Sequence, residues 1–245
     1  MSWLFTVPFL VVFGLVFLVL DPVLRVARAL GRRPEESVAG LLQWSAMQTL
    51  RLTGTRFAIE RAPGLRGRTA YIFVSNHQSM FDVAFLGGVM LTNYPKYVAK
   101  KELARGLPAV SFHLREGGNA VIDRNHREQA IAAIRELGRR GEERGVSVVI
   151  YPEGTRAREG TLKPFKLAGS RALLEAAPNL PVVPVAIDES WKLVHHRFLP
   201  VPFGTRVRFH VGEPIPRSPG EDKDALLRRV EEEIRTTLER WRAGD

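Results

Sequence analysis

From Trp3 to Leu20 the chain carries no charge, and apolar side chains fill most positions. Read as a helix, this stretch is about 27 Å long at about 1.5 Å per residue, close to the ~30 Å hydrocarbon thickness of a bilayer. Arg25, Arg28, Arg32 and Arg33 follow it. Charges after the apolar run, with none before it, reverse the order of a secretory signal, although Ala27-Arg28-Ala29 has the small-x-small form of a cleavage site. A buried core helix is the third reading, and the lack of a polar face argues against it. The stretch is therefore expected to anchor the chain in a membrane, by spanning it or by entering one leaflet. If it spans, the arginines put the remainder on the cytoplasmic side. Residues 38–50, with Leu41, Leu42, Trp44 and Met47, read as a second apolar-rich helix closed by Gly54.

The pattern then changes. Short apolar runs predict strands at 56–60, 70–74, 97–99, 119–122, 146–150, 181–187 and 206–211. Pro184 within the 181–187 run predicts a bulge or an edge position, because proline cannot donate to a ladder. Between these runs, helices are expected from 82 (a short one), over 129–144 and over 167–176. The last helix, 222–241, carries Leu226, Leu227, Val230, Ile234, Leu238 and Trp241 on one side. Alternating strands and helices predict a single α/β domain on a largely parallel or mixed sheet flanked by helices. The expected division is 1–54 for the N-terminal membrane-anchoring helices and 55–245 for the catalytic domain.

Composition narrows the chemistry. The 245 residues are 45% hydrophobic and 25% charged, enough for one sizeable core. With no cysteine, the chain has no disulfide, thiolate nucleophile or Cys-based metal site. The net charge of +10 attracts polyanions. The basic residues are spread, with one concentration beside the apolar N-terminus and no interleaved aromatics, which favours anionic membrane and phosphate ligands over nucleic acid. The remaining histidines form no metal-ligand pattern, so no metal is expected.

Two clusters carry candidate chemistry. His77 and Asp82 lie five residues apart, just after the apolar run Tyr71-Ile72-Phe73-Val74. On one regular helix that offset turns the side chains apart by about 140°. They meet only if His77 sits in the strand–helix turn and Asp82 near the helix start, at the carboxyl end of a strand where active residues collect. Such a pair does general-base work: imidazole takes a proton, and the carboxylate fixes its tautomer. An N-capping Asp82 beside a loop His77 is the structural alternative. The second cluster, Tyr151-Pro152-Glu153-Gly154-Thr155-Arg156, follows the run ending at Ile150 and offers a turn with cationic donors, including Arg158.

Four ordered blocks give a resemblance to the 1-acylglycerol-3-phosphate acyltransferases of the glycerolipid acyltransferase superfamily. They are Asn76 to Asp82; Lys100-Lys101-Glu102-Leu103 through Gly118 to Arg124; Tyr151 to Arg156; and Val183-Pro184-Val185-Ala186-Ile187. Phe165-Lys166 also fits. One departure is Pro108-Ala109-Val110-Ser111-Phe112, where Ser111 stands where the family usually has glycine. The resemblance implies that His77 is the general base and Asp82 its orienting carboxylate. It implies that Arg124, Glu153, Gly154, Thr155 and Arg156 bind the phosphate headgroup, with help from Lys100 or Lys101, and that Pro184 shapes the site. The acyl donor would be acyl-CoA or acyl-carrier protein, the acceptor a lysophospholipid, and no cofactor would be needed. Ser75 and Ser79 flank His77 but belong to no Gly-x-Ser-x-Gly elbow, so direct transfer is expected over a covalent serine route.

Overall fold

The computed structural model describes residues 2–123, 125–195 and 199–244. Two antiparallel helices open it. α1 (Ser2–Leu30) continues through Pro8 and Pro22, and α2 (Arg32–Thr49) returns after Gly31. The remaining elements are β1 (Arg56–Arg61), β2 (Ile72–Ser75), α3 (Asp82–Val89), β3 (Lys96–Lys100), α4 (Val110–Glu116), β4 (Ala120–Ile122), α5 (Arg127–Arg144), β5 (Val148–Ile150), α6 (Leu167–Ala176), β6 (Val182–Asp188), β7 (Arg206–Val211) and α7 (Lys223–Ala243).

The strands make one mixed sheet in the order β1-β7-β6-β2-β5-β3-β4. β6 and β7 are antiparallel, while the other neighbouring pairs are parallel. β2, β5 and β6 are buried at every position, as strands covered on both faces are. Alternate side chains face opposite layers. Ile72, Val74, Val148, Ile150 and Val182 join a core with Leu173, Leu227, Val230 and Ile234 of α6 and α7. Phe73, Val149, Val183, Val185 and Ile187 join the other, with Phe9 of α1, Met47 of α2 and Phe85 of α3. Asp222 starts α7 by accepting from the N–H groups of Asp224 and Ala225, at 2.9 and 3.2 Å.

The proline expectation is half corrected. β6 lies inside the sheet, not at its edge. Its partner instead absorbs the missing donor with a bulge. Val185 pairs with Val211 and Val182 bridges Ile215, so residues 183–184 face the longer stretch 212–214. The Pro184 carbonyl still accepts from Gly212 N–H at 2.9 Å.

α1 lies along the domain. Thr6 Oγ1 accepts from Val201 N–H at 3.1 Å, the Phe9 and Phe13 rings meet the Phe81 ring edge-on, and Leu24 packs with Ala39, Leu42 and Ala109. The opposite face of α1, including Leu4, Val7, Val11, Leu15, Leu18 and Val26, is exposed and apolar. By length and composition α1 could cross a membrane.

α4 went unpredicted from the chain, being too short at seven residues to show a period. Its entry is unusual. Ala109 has φ 56° and ψ −47°, and Val110 N–H reaches the Pro108 carbonyl at 2.6 Å, which makes a γ-turn. The strained residue is thus Ala109 rather than Ser111. Ser111 instead uses its hydroxyl as a tie, donating to the Leu103 carbonyl and accepting from Leu107 N–H, both at 2.9 Å.

Candidate active site

β2 delivers the chain to the carboxyl edge of the sheet, and residues 76–81 turn it into α3, whose first residue is Asp82. The turn folds back on Asp82. Asp82 Oδ2 accepts from Gln78 N–H at 2.7 Å and Ser79 N–H at 2.8 Å, and lies 2.8 Å from His77 Nδ1. Asp82 is fully buried, while His77 stays partly open. Asp82 therefore organises the turn and holds the imidazole with the same oxygen. A carboxylate accepts here, so Nδ1 carries the proton and Nε2 is the nitrogen left to act on a substrate.

The 151–157 loop grips His77 by its backbone and its ring. His77 N–H donates to Glu153 Oε1 at 2.6 Å, and the His77 carbonyl accepts from Ala157 N–H at 2.7 Å. The Tyr151 ring stacks on the imidazole with centroids 4.2 Å apart and an interplanar angle of 23°. The Tyr151 hydroxyl is buried, has no hydrogen-bond partner among the described residues, and has its proton affinity raised well above normal by that burial.

Glu153 is buried, and its second oxygen accepts from Lys163 N–H at 3.0 Å. Burial raises its pKa, against the opposing pull of the His77 and Lys163 amides. Both carboxylate oxygens are thus occupied by backbone. Gly154 supplies a positive φ of 69°, which the turn needs and a side chain resists. Thr155 is exposed and Arg156 half-buried. Lys163 Nζ bonds the Arg156 carbonyl at 2.9 Å and Thr155 Oγ1 at 3.3 Å, bringing a cation to the loop that the sequence reading did not single out.

The other expected site residues are spread more widely. Lys100 is exposed at the end of β3, two strands from β2, and Lys101 pairs with Asp123. Arg124 lies outside the described residues. Pro184 pairs with Val74 inside the sheet, three residues short of His77, and its packing is against Gly212.

The end of β6 contributes more than its proline. Asn76 exchanges two bonds with the Ile187 backbone, each 2.8 Å. Gln78 Nε2 donates to Asp188 Oδ1 at 3.0 Å, and Asp188 in turn holds Arg242 of α7 at 3.0 Å. Ser190 Oγ donates to Asp82 Oδ1 at 2.6 Å. Alternate residues of the 76–82 turn, Asn76 and Gln78, are thus pinned by successive residues of one strand end, Ile187 and Asp188. Only a polar Asn-x-Gln next to His77 hinted at this, because their partners lie more than 100 residues away.

Comparisons with known proteins show the family and the fold. The acyltransferase family model matches residues 56–188. A 1-acyl-sn-glycerol-3-phosphate acyltransferase from Limnanthes douglasii is 30% identical over 200 residues, covering 78% of this chain and 65% of that protein. The human 1-acyl-sn-glycerol-3-phosphate acyltransferase beta is 30% identical over 210 residues, covering 85% and 73%. The match to the Escherichia coli 1-acyl-sn-glycerol-3-phosphate acyltransferase covers 48% of this chain and 46% of that one. Among solved structures, the 1-acyl-sn-glycerophosphate acyltransferase PlsC from Thermotoga maritima superposes with a TM-score of 0.78 at 22% identity, over 99% of this chain and 98% of that one. The family match takes in His77, Asp82 and the 151–157 loop together, and on it this chain belongs to the acyltransferase family.

Proposed function

We propose that this protein transfers a fatty acyl group from an acyl thioester to the free sn-2 hydroxyl of 1-acylglycerol 3-phosphate, giving phosphatidic acid. The observation that carries the reading is His77 Nδ1 fixed on buried Asp82 at 2.8 Å, which aims Nε2 outward as a base. Nε2 takes the proton of the acceptor hydroxyl as its oxygen attacks the thioester carbonyl. The tetrahedral intermediate collapses with loss of thiolate, and the imidazolium returns the proton to that sulfur. Direct transfer is favoured because Ser75 and Ser79 are buried, with hydroxyls already bonded to the backbone. Arg156, Lys163 and the Gly154 turn are the groups best placed to meet a phosphate, and Glu153 is proposed to hold the turn rather than the substrate. Acyl-CoA or acyl-carrier protein supplies the thioester.

The arrangement of α1 supports membrane attachment from one side. Its inner face is fastened to the domain from Thr6 to Leu24, so a helix crossing the bilayer would drag the domain with it. An in-plane helix with its apolar outer face in one leaflet avoids that conflict.

The test is purified protein in liposomes with labelled acyl-CoA or acyl-carrier protein and a panel of lysolipids. Diacyl product from 1-acylglycerol 3-phosphate supports the proposal. Product only from another lysolipid moves the acceptor, and free fatty acid independent of acceptor makes the protein a hydrolase.

A further inference from the structure

We infer that Ser190 is a positioning residue of the His77–Asp82 pair, a role that rests on the acyl-transfer reading above. The turn and helix holding the pair are sequence neighbours, but Ser190 comes from the far side of the catalytic turn, 108 residues on. It is fully buried, as is Asp82, and the 2.6 Å contact gives Asp82 Oδ1 its hydrogen bond. The other donors to this carboxylate among the described residues, His77 Nδ1 and the amides of Gln78 and Ser79, converge on Oδ2. Three donors hold Oδ2, and the Ser190 hydroxyl holds the second oxygen, so the buried carboxylate is fastened at both oxygens while it carries the imidazole.

The backbone is shaped for this contact. β6 ends at Asp188, and Glu189 adopts φ 65° and ψ 0°, a left-handed conformation uncommon for a residue with a side chain. That residue turns the chain so that Ser190 points back under the sheet edge. The Ser190 Oγ is also 3.5 Å from Gln78 Oε1. Its single proton goes to the nearer, charged acceptor. A donor to a carboxylate spreads its charge, so Ser190 also sets how strongly Asp82 pulls on the imidazole proton. Loss of the hydroxyl leaves a buried carboxylate oxygen unpaired and concentrates charge on the oxygen facing His77.

The experiment compares wild type with Ser190→Ala and Ser190→Thr, after thermal melting establishes that each variant is folded. Ser190→Ala is expected to lower kcat about tenfold or more, the scale of one lost bond to a buried charge, with KM little changed. It should also move the acid limb of the kcat/KM–pH profile to higher pH, and Ser190→Thr should restore both. The His77 Nδ1 proton, seen by NMR in protein labelled at histidine and assigned with His77→Gln, should move downfield in Ser190→Ala and return in Ser190→Thr. That readout needs no substrate, so it judges Ser190 even if the lysolipid panel fails. Unchanged kinetics and an unmoved proton resonance overturn the inference. So does a fall in kcat with an unmoved acid limb that Thr does not rescue, since that marks a packing effect alone.

Discussion

Asp82 holds His77 with the same oxygen that closes the turn on the amides of Gln78 and Ser79. Asn at 82 cannot reproduce this. Its carbonyl oxygen can keep the two amides and Nδ1–H only if its NH₂ replaces Oδ1, where Ser190 donates. If it flips, its NH₂ faces three donors. Either way the imidazole loses the charge that stabilises its protonated state. Asp82→Asn is expected to cut kcat by about three to four orders of magnitude, the scale of the same change at the carboxylate that orients the histidine of a serine-protease triad, with liposome binding unchanged. Near-normal turnover would remove Asp82 from the mechanism.

Glu153 separates two roles that the sequence left merged. As a headgroup ligand, its loss would raise KM. Its two bonds to the His77 and Lys163 amides predict a different result. In Glu153→Gln one of those amides meets an NH₂ and the His77 backbone shifts. A misplacement of about 1 Å near the chemistry costs roughly a hundredfold, so kcat should fall by one to two orders of magnitude while KM changes less. The raised pKa of Glu153 means that its charge is a cost to folding above the usual carboxylate range, with its stabilising share present at low pH and lost as pH rises. Thermal stability at neutral pH should therefore drop little in the Gln variant. Steady-state kinetics and melting on the same sample check both halves.

Tyr151 invites a stabilising change. Its ring stacks on His77, but its hydroxyl is buried without a partner among the described residues. An unmatched buried hydroxyl costs about 1–3 kcal/mol, so Tyr151→Phe should raise stability by about 1 kcal/mol and keep activity within about twofold. Tyr151→Ala, which removes the stack, should lose activity. Denaturant melts and initial rates decide this.

Much of the fold was legible because its signals are local. Runs such as Val148-Val149-Ile150 and the Leu226–Trp241 stripe announce buried strands and an amphipathic helix. The turn that joins His77 to Asp82 was legible for the same reason, since the block Asn76 to Asp82 is contiguous. What stayed hidden depends on tertiary distance or backbone shape. Ser190 is one serine among many until β6 lies beside β2, and the strain at Ala109 appears only in its dihedral angles. Pro184 was readable as a disturbance, but sequence could not say that the bulge would lie opposite it, in residues 212–214, with Pro184 itself inside the sheet.

The outer face of α1 predicts how the protein finds lipid. Val11, Leu15 and Leu18 are exposed, while the inner face is fastened to Val201 and Phe81. Each such side chain contributes about 1.5–3 kcal/mol when buried in an apolar phase. The triple change Val11→Asp, Leu15→Asp, Leu18→Asp should abolish liposome flotation while leaving the melting temperature within a few degrees. Loss of the fold as well would mean that this face is structural.

Finally, stability at mild acidity should depend on a buried pair far from the chemistry. His113 Nδ1 lies 2.8 Å from Glu35 Oε1, joining α4 to α2, with Lys96 and Glu36 paired beside them at 3.5 Å. Burial holds the His113 pKa below 6.5, against the pull of Glu35 and Glu36 and with the help of Lys96. Glu35 is lowered below 4.5, its partner His113, Lys96 and Arg28 outweighing burial. For a depressed folded pKa, stability is fully present above the unfolded value and is lost as pH falls through the folded one. The His113 share should therefore drain away from pH 6.5 downward, and the Glu35 share only from 4.5 downward. Wild-type melting temperature should begin to fall as pH drops below 6.5, whereas His113→Gln should stay flat until the carboxylates titrate. If both proteins decline together from pH 6.5, another group sets that limb and the α2–α4 pair is not the acid-sensitive joint.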